Sequence, residues 1–128
     1  MAAKKKILIV DDDKFLLDIY TTKFLDGGFD VNVAFGGEEA LSIIKGGNKP
    51  DVILLDIVMP GMDGIEFLKK LKDEKLGSGI VRVVLSNQSQ QVDIDKANQY
   101  GIDGYIVKAS NTPSEVLNKV SDIIKKKK

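Results

Sequence analysis

Short runs of branched apolar residues, each ending abruptly at a polar side chain, constrain the fold of this chain more than any other feature. Three runs are clear, at residues 7–10, 52–55 and 81–85, and two weaker ones lie at residues 31–35 and 104–107. Uninterrupted runs of this composition and length are typical of strands that are buried on both faces. The sequence therefore predicts five strands of a parallel sheet.

Helical patterns lie between the predicted strands. In the first pattern, the apolar residues predicted to share one face are Phe15, Leu16, Ile19, Tyr20 and Phe24. A second pattern covers residues 40–44, and a glycine pair follows each of these two helices. The pattern around Val92, Ala97 and Tyr100 is the least amphipathic, so we expect this fourth helix to pack most loosely.

Capping sequences mark the starts of the third and fifth predicted helices. Asp63 is followed three residues later by Glu66, and Thr112 is followed at the same spacing by Glu115. Such pairs satisfy two backbone N–H groups that a helix start leaves free. Pro113 also suits a first helical position, because its φ is already helical and its nitrogen carries no hydrogen.

Strict alternation of strands and helices predicts one α/β domain over residues 1–128, a doubly wound parallel sheet with helices on both faces, in three layers. All strands of such a sheet end at the same edge, where ligands bind. The polar residues that directly follow the apolar runs are Asp11, Asp12, Asp56, Ser86 and Lys108. We therefore expect these side chains to meet at the carboxyl edge of the sheet.

The composition excludes several kinds of chemistry. There is no cysteine and no histidine, which removes disulfides, thiolate nucleophiles, imidazole bases and most transition-metal sites. Basic and acidic residues balance at 19 each, so no net charge attracts nucleic acid. The lysines at 4–6 and 125–128 are interpreted as solvated termini, with a docking or membrane-surface role as the alternative. No apolar run is long enough to cross a bilayer, so we expect a cytoplasmic protein without membrane insertion.

Three carboxylates at one edge need a counter-ion. If Asp11, Asp12 and Asp56 lie roughly 4 Å apart, each pair repels by about 4 kcal/mol at an effective dielectric constant near 20. Oxygen ligands without histidine or cysteine favour Mg²⁺. The hydroxyl of Ser86 and the ammonium of Lys108 add donors for phosphoryl oxygens. The chemistry that these residues suggest is phosphoryl transfer to an aspartate.

Four stretches resemble, in order, the landmarks of receiver domains of two-component response regulators. They are ILIVDDDKFL, DVILLDIVMPGMDG, VVLS and GYIVKAS. The resemblance implies a flavodoxin-like sheet with strand order 2-1-3-4-5 and a role in a phosphorelay. It also implies a signalling domain and not an enzyme, one that only assists its own phosphorylation and dephosphorylation.

The resemblance assigns a role to each residue of the predicted cluster. Asp56 corresponds to the phosphoacceptor, and Asp12 and Asp56 correspond to direct Mg²⁺ ligands. Asp11 corresponds to a residue that acts on the metal through water, and the backbone carbonyl of Val58 supplies a further ligand.

The remaining implied roles concern the phosphate and the switch. Ser86 and Lys108 correspond to the residues that bind phosphoryl oxygens, and Tyr105 to an aromatic residue that turns inward on activation. The surface of the fourth helix, fifth strand and fifth helix is then the one that partners recognise. The implied partners are a histidine kinase or histidine phosphotransfer protein and a downstream protein target. Direct nucleic-acid binding is not expected, and the implied assembly is a monomer or weak homodimer.

Two residues depart from the family pattern. The family usually has proline, joined by a cis bond, after the lysine, whereas Ala109 follows Lys108 here, and a cis bond before alanine costs about 3 to 4 kcal/mol. The sequence leaves two alternatives: a strained cis bond before Ala109, or a loop of different conformation. Asn87 stands where a small residue is usual, which leaves the shape of the phosphate pocket open. Val58 and Gln88 flank the expected path of water to Asp56.

Three other functions are open on the sequence alone. IVDDDKF also fits the opening of haloacid-dehalogenase-like phosphatases, with Asp11 as the nucleophile and Asp13 as the acid. A receiver-like interaction module that never carries phosphate is the second, motivated by Asn87 and Ala109. Flavin binding is the third, and it ranks last because no hydroxyl-rich phosphate loop follows Val10.

Overall fold

Five strands and five helices alternate along residues 4–127, the part of the chain that this computed structural model describes. The strands are β1 (Lys6–Val10), β2 (Asp30–Ala34), β3 (Val52–Leu55), β4 (Val81–Ser86) and β5 (Gly104–Val107). The helices are α1 (Lys14–Asp26), α2 (Gly37–Lys45), α3 (Gly64–Asp73), α4 (Gln91–Asn98) and α5 (Pro113–Lys127). Of the C-terminal lysine run, Lys128 lies outside the described residues.

The strands form one parallel sheet in the order β2-β1-β3-β4-β5, which confirms the predicted fold class and strand order. Strands β1 and β3 are neighbours in the middle of the sheet, and their register pairs Val10 with Leu55. The residues that follow these two strands therefore leave the sheet side by side.

Two apolar cores cover the two faces of the sheet. Alternate strand residues point to opposite faces, so Leu8 packs with α2, α3 and α4, while Ile9 packs with α1 and α5. Helices on both sides complete the three predicted layers. No helix within residues 4–127 combines the length and the apolar composition that crossing a bilayer requires.

The buried face of α1 differs from the predicted one. Leu17, Tyr20 and Phe24 are buried, whereas Phe15 is 73% exposed, so the prediction that Phe15 shares their face is wrong. At about 100° per residue, the nine positions from Phe15 to Phe24 turn through two and a half turns of helix, which places the two rings on opposite sides.

The capping predictions are confirmed, and α4 buries the fewest side chains of the five helices, although α1 and not α4 is the least amphipathic. Asp63 and Glu66 form a capping box at the start of α3, and Thr112 and Glu115 exchange the equivalent hydrogen bonds at the start of α5. Helix α4 buries a single side chain, that of Ala97. The helix ends at Asn98, so Tyr100, which the pattern included, lies beyond it.

Candidate functional site

The carboxyl edge of the sheet brings together residues from four strand ends. Asp11 follows β1 and Asp56 follows β3, and the N–H of Asp56 donates to the carbonyl of Val10 at 3.0 Å. Ser86 ends β4, and Lys108 follows β5. The site arises because these four neighbouring strands run parallel and so all end at this edge.

Three carboxylates form a group that fits a hard divalent cation. One oxygen each from Asp11, Asp12 and Asp56 lies within 4.8 Å of the other two. Asp11 is 3% exposed and Asp56 is 9% exposed, whereas Asp12 is open to solvent. An all-oxygen group with one exposed member suits Mg²⁺, which binds few carboxylates and keeps several waters.

Lys108 joins two members of this group. Its Nζ donates to Oδ2 of Asp11 at 2.7 Å and to Oδ2 of Asp56 at 3.0 Å. Burial alone would lower the pKa of this ammonium, but the two hydrogen bonds outweigh burial and raise the pKa above its ordinary value. Lys108 is therefore held in its charged form between the two buried carboxylates.

The charges of the cluster do not balance. Ionised, the three carboxylates carry three negative charges against the one positive charge of Lys108, so two negative charges are in excess. A divalent cation would neutralise that excess. The donor set and the charge thus agree on the class of ion that fits.

The Asp56 carboxylate is fixed in orientation. Its Oδ1 accepts from the N–H of Ile57 at 2.8 Å, and its Oδ2 accepts from Lys108. Gly64, the first residue of α3, packs so closely behind it that a Cβ there would lie 2.7 Å from the Cα of Ile57. Val58, whose carbonyl is a predicted metal ligand, lies in the following loop with a side chain 56% exposed.

Ser86 and Tyr105 both contact the backbone of Gln88. The hydroxyl of Ser86, which is buried, accepts from the N–H of Gln88 at 3.1 Å, and the hydroxyl of Tyr105 donates to the carbonyl of Gln88. Burial raises the pKa of Tyr105, and the nearby carboxylate of Asp93 raises it further. The loop between β4 and α4 is therefore held at one residue by both predicted switch residues.

The two residues that depart from the family pattern contact each other. Within residues 4–127 no peptide bond is cis, so the bond between Lys108 and Ala109 is trans and the loop takes a different form. Residues Lys108–Ser110 form a 3₁₀ turn. The N–H of Ala109 donates to Oδ1 of Asn87 at 2.9 Å.

Two residues near the site were not singled out by the sequence. Tyr20 was predicted as core; burial raises its pKa, the charge of Lys108 lowers it, and Asp11 and Asp56 raise it, so it lies within the field of the cluster. The Nδ2 of Asn111 donates to the carbonyl of Val107 at 2.8 Å and steadies the turn after β5. Neither contact has a sequence signal, because a tyrosine on a helix face and an asparagine before a helix are both ordinary.

The comparisons with known proteins agree with this geometry. The family model described as "Response regulator receiver domain" matches residues 7–121. The chain belongs to this family. Receiver domains are signalling domains that in general bind Mg²⁺ at an acidic cluster.

Similar receiver sequences occur in longer proteins. The DNA-binding response regulator MtrA of Mycobacterium tuberculosis is 34% identical over 117 residues, which are 91% of this chain and 49% of MtrA. The alkaline phosphatase synthesis transcriptional regulatory protein PhoP of Bacillus subtilis is 35% identical over 122 residues, 95% of this chain and 49% of PhoP. The receiver domain thus spans about half the length of the curated relatives it matches.

Solved receiver structures share the fold over nearly all of the chain. The receiver domain of the Francisella response regulator 1452 has a TM-score of 0.86 and 34% sequence identity, covering 98% of this chain and 100% of that one. The Vibrio cholerae chemotaxis protein CheY4 has a TM-score of 0.87 and 26% identity, covering 94% and 99%. These likenesses confirm the predicted flavodoxin-like arrangement.

Proposed function

We propose that Asp56 accepts a phosphoryl group from the phosphohistidine of a histidine kinase or of a histidine phosphotransfer protein. One observation carries this proposal: Asp56 is fixed at a strand end and belongs to a cluster of three carboxylates with two negative charges in excess. Such a group favours a divalent cation and, with it, a phosphoryl group. The family to which the chain belongs supports the same role.

The transfer breaks one bond and forms one. An oxygen of Asp56 attacks the phosphorus, the phosphorus–nitrogen bond of the donor breaks, and its electron pair stays on the imidazole nitrogen. The product is an acyl phosphate on Asp56. The attacking form of Asp56 is its carboxylate, so the step needs no histidine base, and the absence of histidine from the chain is no obstacle.

Side chains of this chain position the reacting groups. Lys108 lies beside Oδ2 of Asp56, so that a small movement brings its ammonium onto a phosphoryl oxygen, and the hydroxyl of Ser86 is the second donor. Asp12 and Asp56 would hold Mg²⁺ directly, Asp11 through water, and Val58 through its carbonyl. When bound, the ion neutralises the charge that develops on the phosphoryl oxygens.

The switch that we propose runs through the loop between β4 and α4. On phosphorylation, the side chain of Ser86 turns to donate its hydroxyl to a phosphoryl oxygen and moves away from the N–H of Gln88, which loosens the loop that also anchors Tyr105. Tyr105 then turns inward, and the surface of α4, β5 and α5 changes shape for a downstream protein. We also propose a single receiver unit over residues 1–128, in the cytoplasm, as a monomer or weak homodimer without nucleic-acid binding of its own.

Two of the three alternatives from the sequence can be compared with contacts at the site, and both have less support than phosphorylation of Asp56. In the phosphatase hypothesis Asp13 is the acid, but its Oδ1 accepts from the N–H groups of Phe15 and Leu16 and caps α1. The hypothesis of a module that never carries phosphate was motivated by Asn87 and Ala109. Their contact leaves Lys108 in place between the carboxylates, so the departures do not dismantle the cluster.

Intact-mass measurement after treatment with a small acyl phosphate donor tests the proposal. We expect the chain to gain one phosphoryl group with Mg²⁺ and far less after chelation of the metal. Asp56→Asn keeps the size of the side chain but removes the nucleophile, so it should gain none. Equal labelling of the two proteins would contradict the assignment of Asp56.

A further inference from the structure

The turn that carries Lys108 has an unusual cap. The first N–H groups of any helical turn have no acceptor within the turn, and the residue at the cap position here, Val107, offers no side-chain oxygen. The N–H of Ala109 finds its acceptor 22 residues away in sequence, at Oδ1 of Asn87. A side chain from the loop after β4 thus caps the turn after β5.

This cap is incompatible with proline at position 109. Proline has no N–H to donate to Asn87, and its ring disfavours a helical conformation of the preceding residue, which is Lys108. Lys108 begins a 3₁₀ turn here. Ala109 and Asn87 therefore form one paired feature, in which the side chain of Asn87 replaces the restraint that proline gives other family members.

We propose that Asn87 is a positioning residue for Lys108: by holding the N–H of Ala109, it sets the turn that presents the ammonium to Asp11 and Asp56. Asn87 also directly follows Ser86, so the same contact ties together the two donors expected to bind the phosphoryl group. The consequence for phosphorylation rests on the proposed function, whereas the positioning of the ammonium does not.

The size of the effect follows from the exposure of the contact. Asn87 and Ala109 are both open to solvent, so water competes for the bond. Asn111 holds the turn from its other side. Its Nδ2 donates to the carbonyl of Val107, and its backbone N–H donates to the carbonyl of Lys108. Loss of the Asn87 contact should therefore raise the population of the opened turn by about 5-fold without unfolding the domain.

Hydrogen exchange in the unphosphorylated chain tests the positioning directly. In Asn87→Ala we expect the Ala109 amide and the Lys108 ammonium protons, followed by NMR, to exchange with water about 5-fold faster. Asn87→Asp keeps an acceptor oxygen and should retain protection of the Ala109 amide. Gln90→Ala is the matched control, since Gln90 is exposed in the same loop and its side chain makes no cap bond. An unchanged Lys108 signal in Asn87→Ala would overturn the proposal.

Phosphorylation kinetics supply a second readout through a double-mutant cycle. Asn87→Ala should slow labelling by the small phosphodonor about 5-fold in the natural background and have no further effect in Ala109→Pro, where the N–H is already gone. Equal slowing in both backgrounds would overturn the positioning role. A chain that takes no phosphoryl group at all would refute the proposed function instead, and the exchange measurement would still decide the role of Asn87.

Discussion

The two ends of the sheet both carry charged residues, but these residues make different kinds of contact. At the amino end, Asp51 accepts from the N–H of Lys6, while Asp103 accepts from the N–H of Arg82 and pairs with Lys127. At the carboxyl end, the ammonium of Lys108 pairs with Asp11 and Asp56, and Asp12 adds a third carboxylate to the same group. The first arrangement joins loops and termini; the second leaves negative charge for a ligand to neutralise.

Arg82 shows how a charged side chain at the amino end bonds to backbone carbonyls of the loops. Its guanidinium donates to the carbonyls of Gly77 and Gly101, at 2.6 Å and 3.1 Å. Among the buried side-chain nitrogen and oxygen atoms of residues 4–127, only the Nε of Arg82 lacks a partner. The comparison teaches that polar residues at strand ends do not by themselves mark a site. A cluster of like charges with too few counter-charges does, as at Asp11, Asp12 and Asp56.

Glycines at the two ends provide the largest expected effect. A Cβ at Gly64 would overlap backbone atoms of Asp56 and Ile57, which cannot move without shifting Asp56, the proposed phosphoacceptor. We expect Gly64→Ala to lower the free energy of unfolding by about 3 kcal/mol and to impair labelling of Asp56. Urea unfolding, followed by circular dichroism, measures the first effect.

Gly77→Ala is the matched variant at the amino end. A Cβ there would meet the guanidinium of Arg82, a side chain that can move aside at the cost of a hydrogen bond. The expected loss is about 1 kcal/mol, with normal labelling. A Gly77 variant as damaging as the Gly64 variant would show that the two ends are equally rigid and would break the comparison.

Removing one aspartate at each end should change stability in opposite directions. Asp12 lies within 4.8 Å of two like charges, and each pair repels by about 0.9 kcal/mol even at the dielectric constant of water. This outweighs the roughly 0.3 to 1 kcal/mol that a negative charge gains near a helix start. Without Mg²⁺, Asp12→Ala should therefore raise the free energy of unfolding by about 1 kcal/mol.

Asp103→Ala should instead lower the free energy of unfolding by about 1 to 2 kcal/mol, because it removes the acceptor of the Arg82 N–H and the partner of Lys127. Thermal unfolding of both variants in buffer with a metal chelator compares them under the same conditions. Losses of the same sign and size at both ends would mean that charge excess is not what distinguishes the carboxyl end.

Glu115 gives the smallest effect and shows how a satisfied acid responds to pH. The N–H of Thr112 donates to its carboxylate, and this backbone bond and the Thr112 side chain lower the pKa of Glu115 below the ordinary 4.5. An acid with a lowered pKa in the fold stabilises above its unfolded pKa, and that contribution is lost as the pH falls through the folded value.

Urea midpoints of the natural chain and of Glu115→Gln should therefore differ at neutral pH and converge below about pH 4.5. Glutamine keeps the length of the side chain but does not titrate, so only the natural chain should lose this contribution. A constant difference across the acid range would place the effect in packing and not in the charge of the cap.

The sequence predicted the fold well because the fold follows from local patterns. Buried parallel strands appear as short apolar runs, and the caps at Asp63 and Thr112 are local pairs, so both could be recognised without neighbours in space. The meeting of Asp11 with Asp56 followed from the topology alone. Phe15 was placed wrongly because it was assigned to the buried face for its hydrophobicity, without regard to its angle around the helix axis.

The contacts that the sequence could not predict join separate loops. The bond between Asn87 and Ala109 depends on the path of two loops 22 residues apart, and each residue alone indicated only a departure from the family pattern. The same holds for Tyr105 and the carbonyl of Gln88. No periodicity encodes such contacts, because loop conformation is set by a few specific hydrogen bonds.

Mapping the modified residue tests the central claim most directly. After treatment with a small acyl phosphate donor and Mg²⁺, reduction with borohydride converts a phosphorylated aspartate to homoserine, which peptide mass spectrometry then locates. The excess charge at the carboxyl end and the fixed carboxylate of Asp56 predict homoserine at position 56. Homoserine at position 11, or at an amino-end aspartate such as Asp51 or Asp103, would contradict the account.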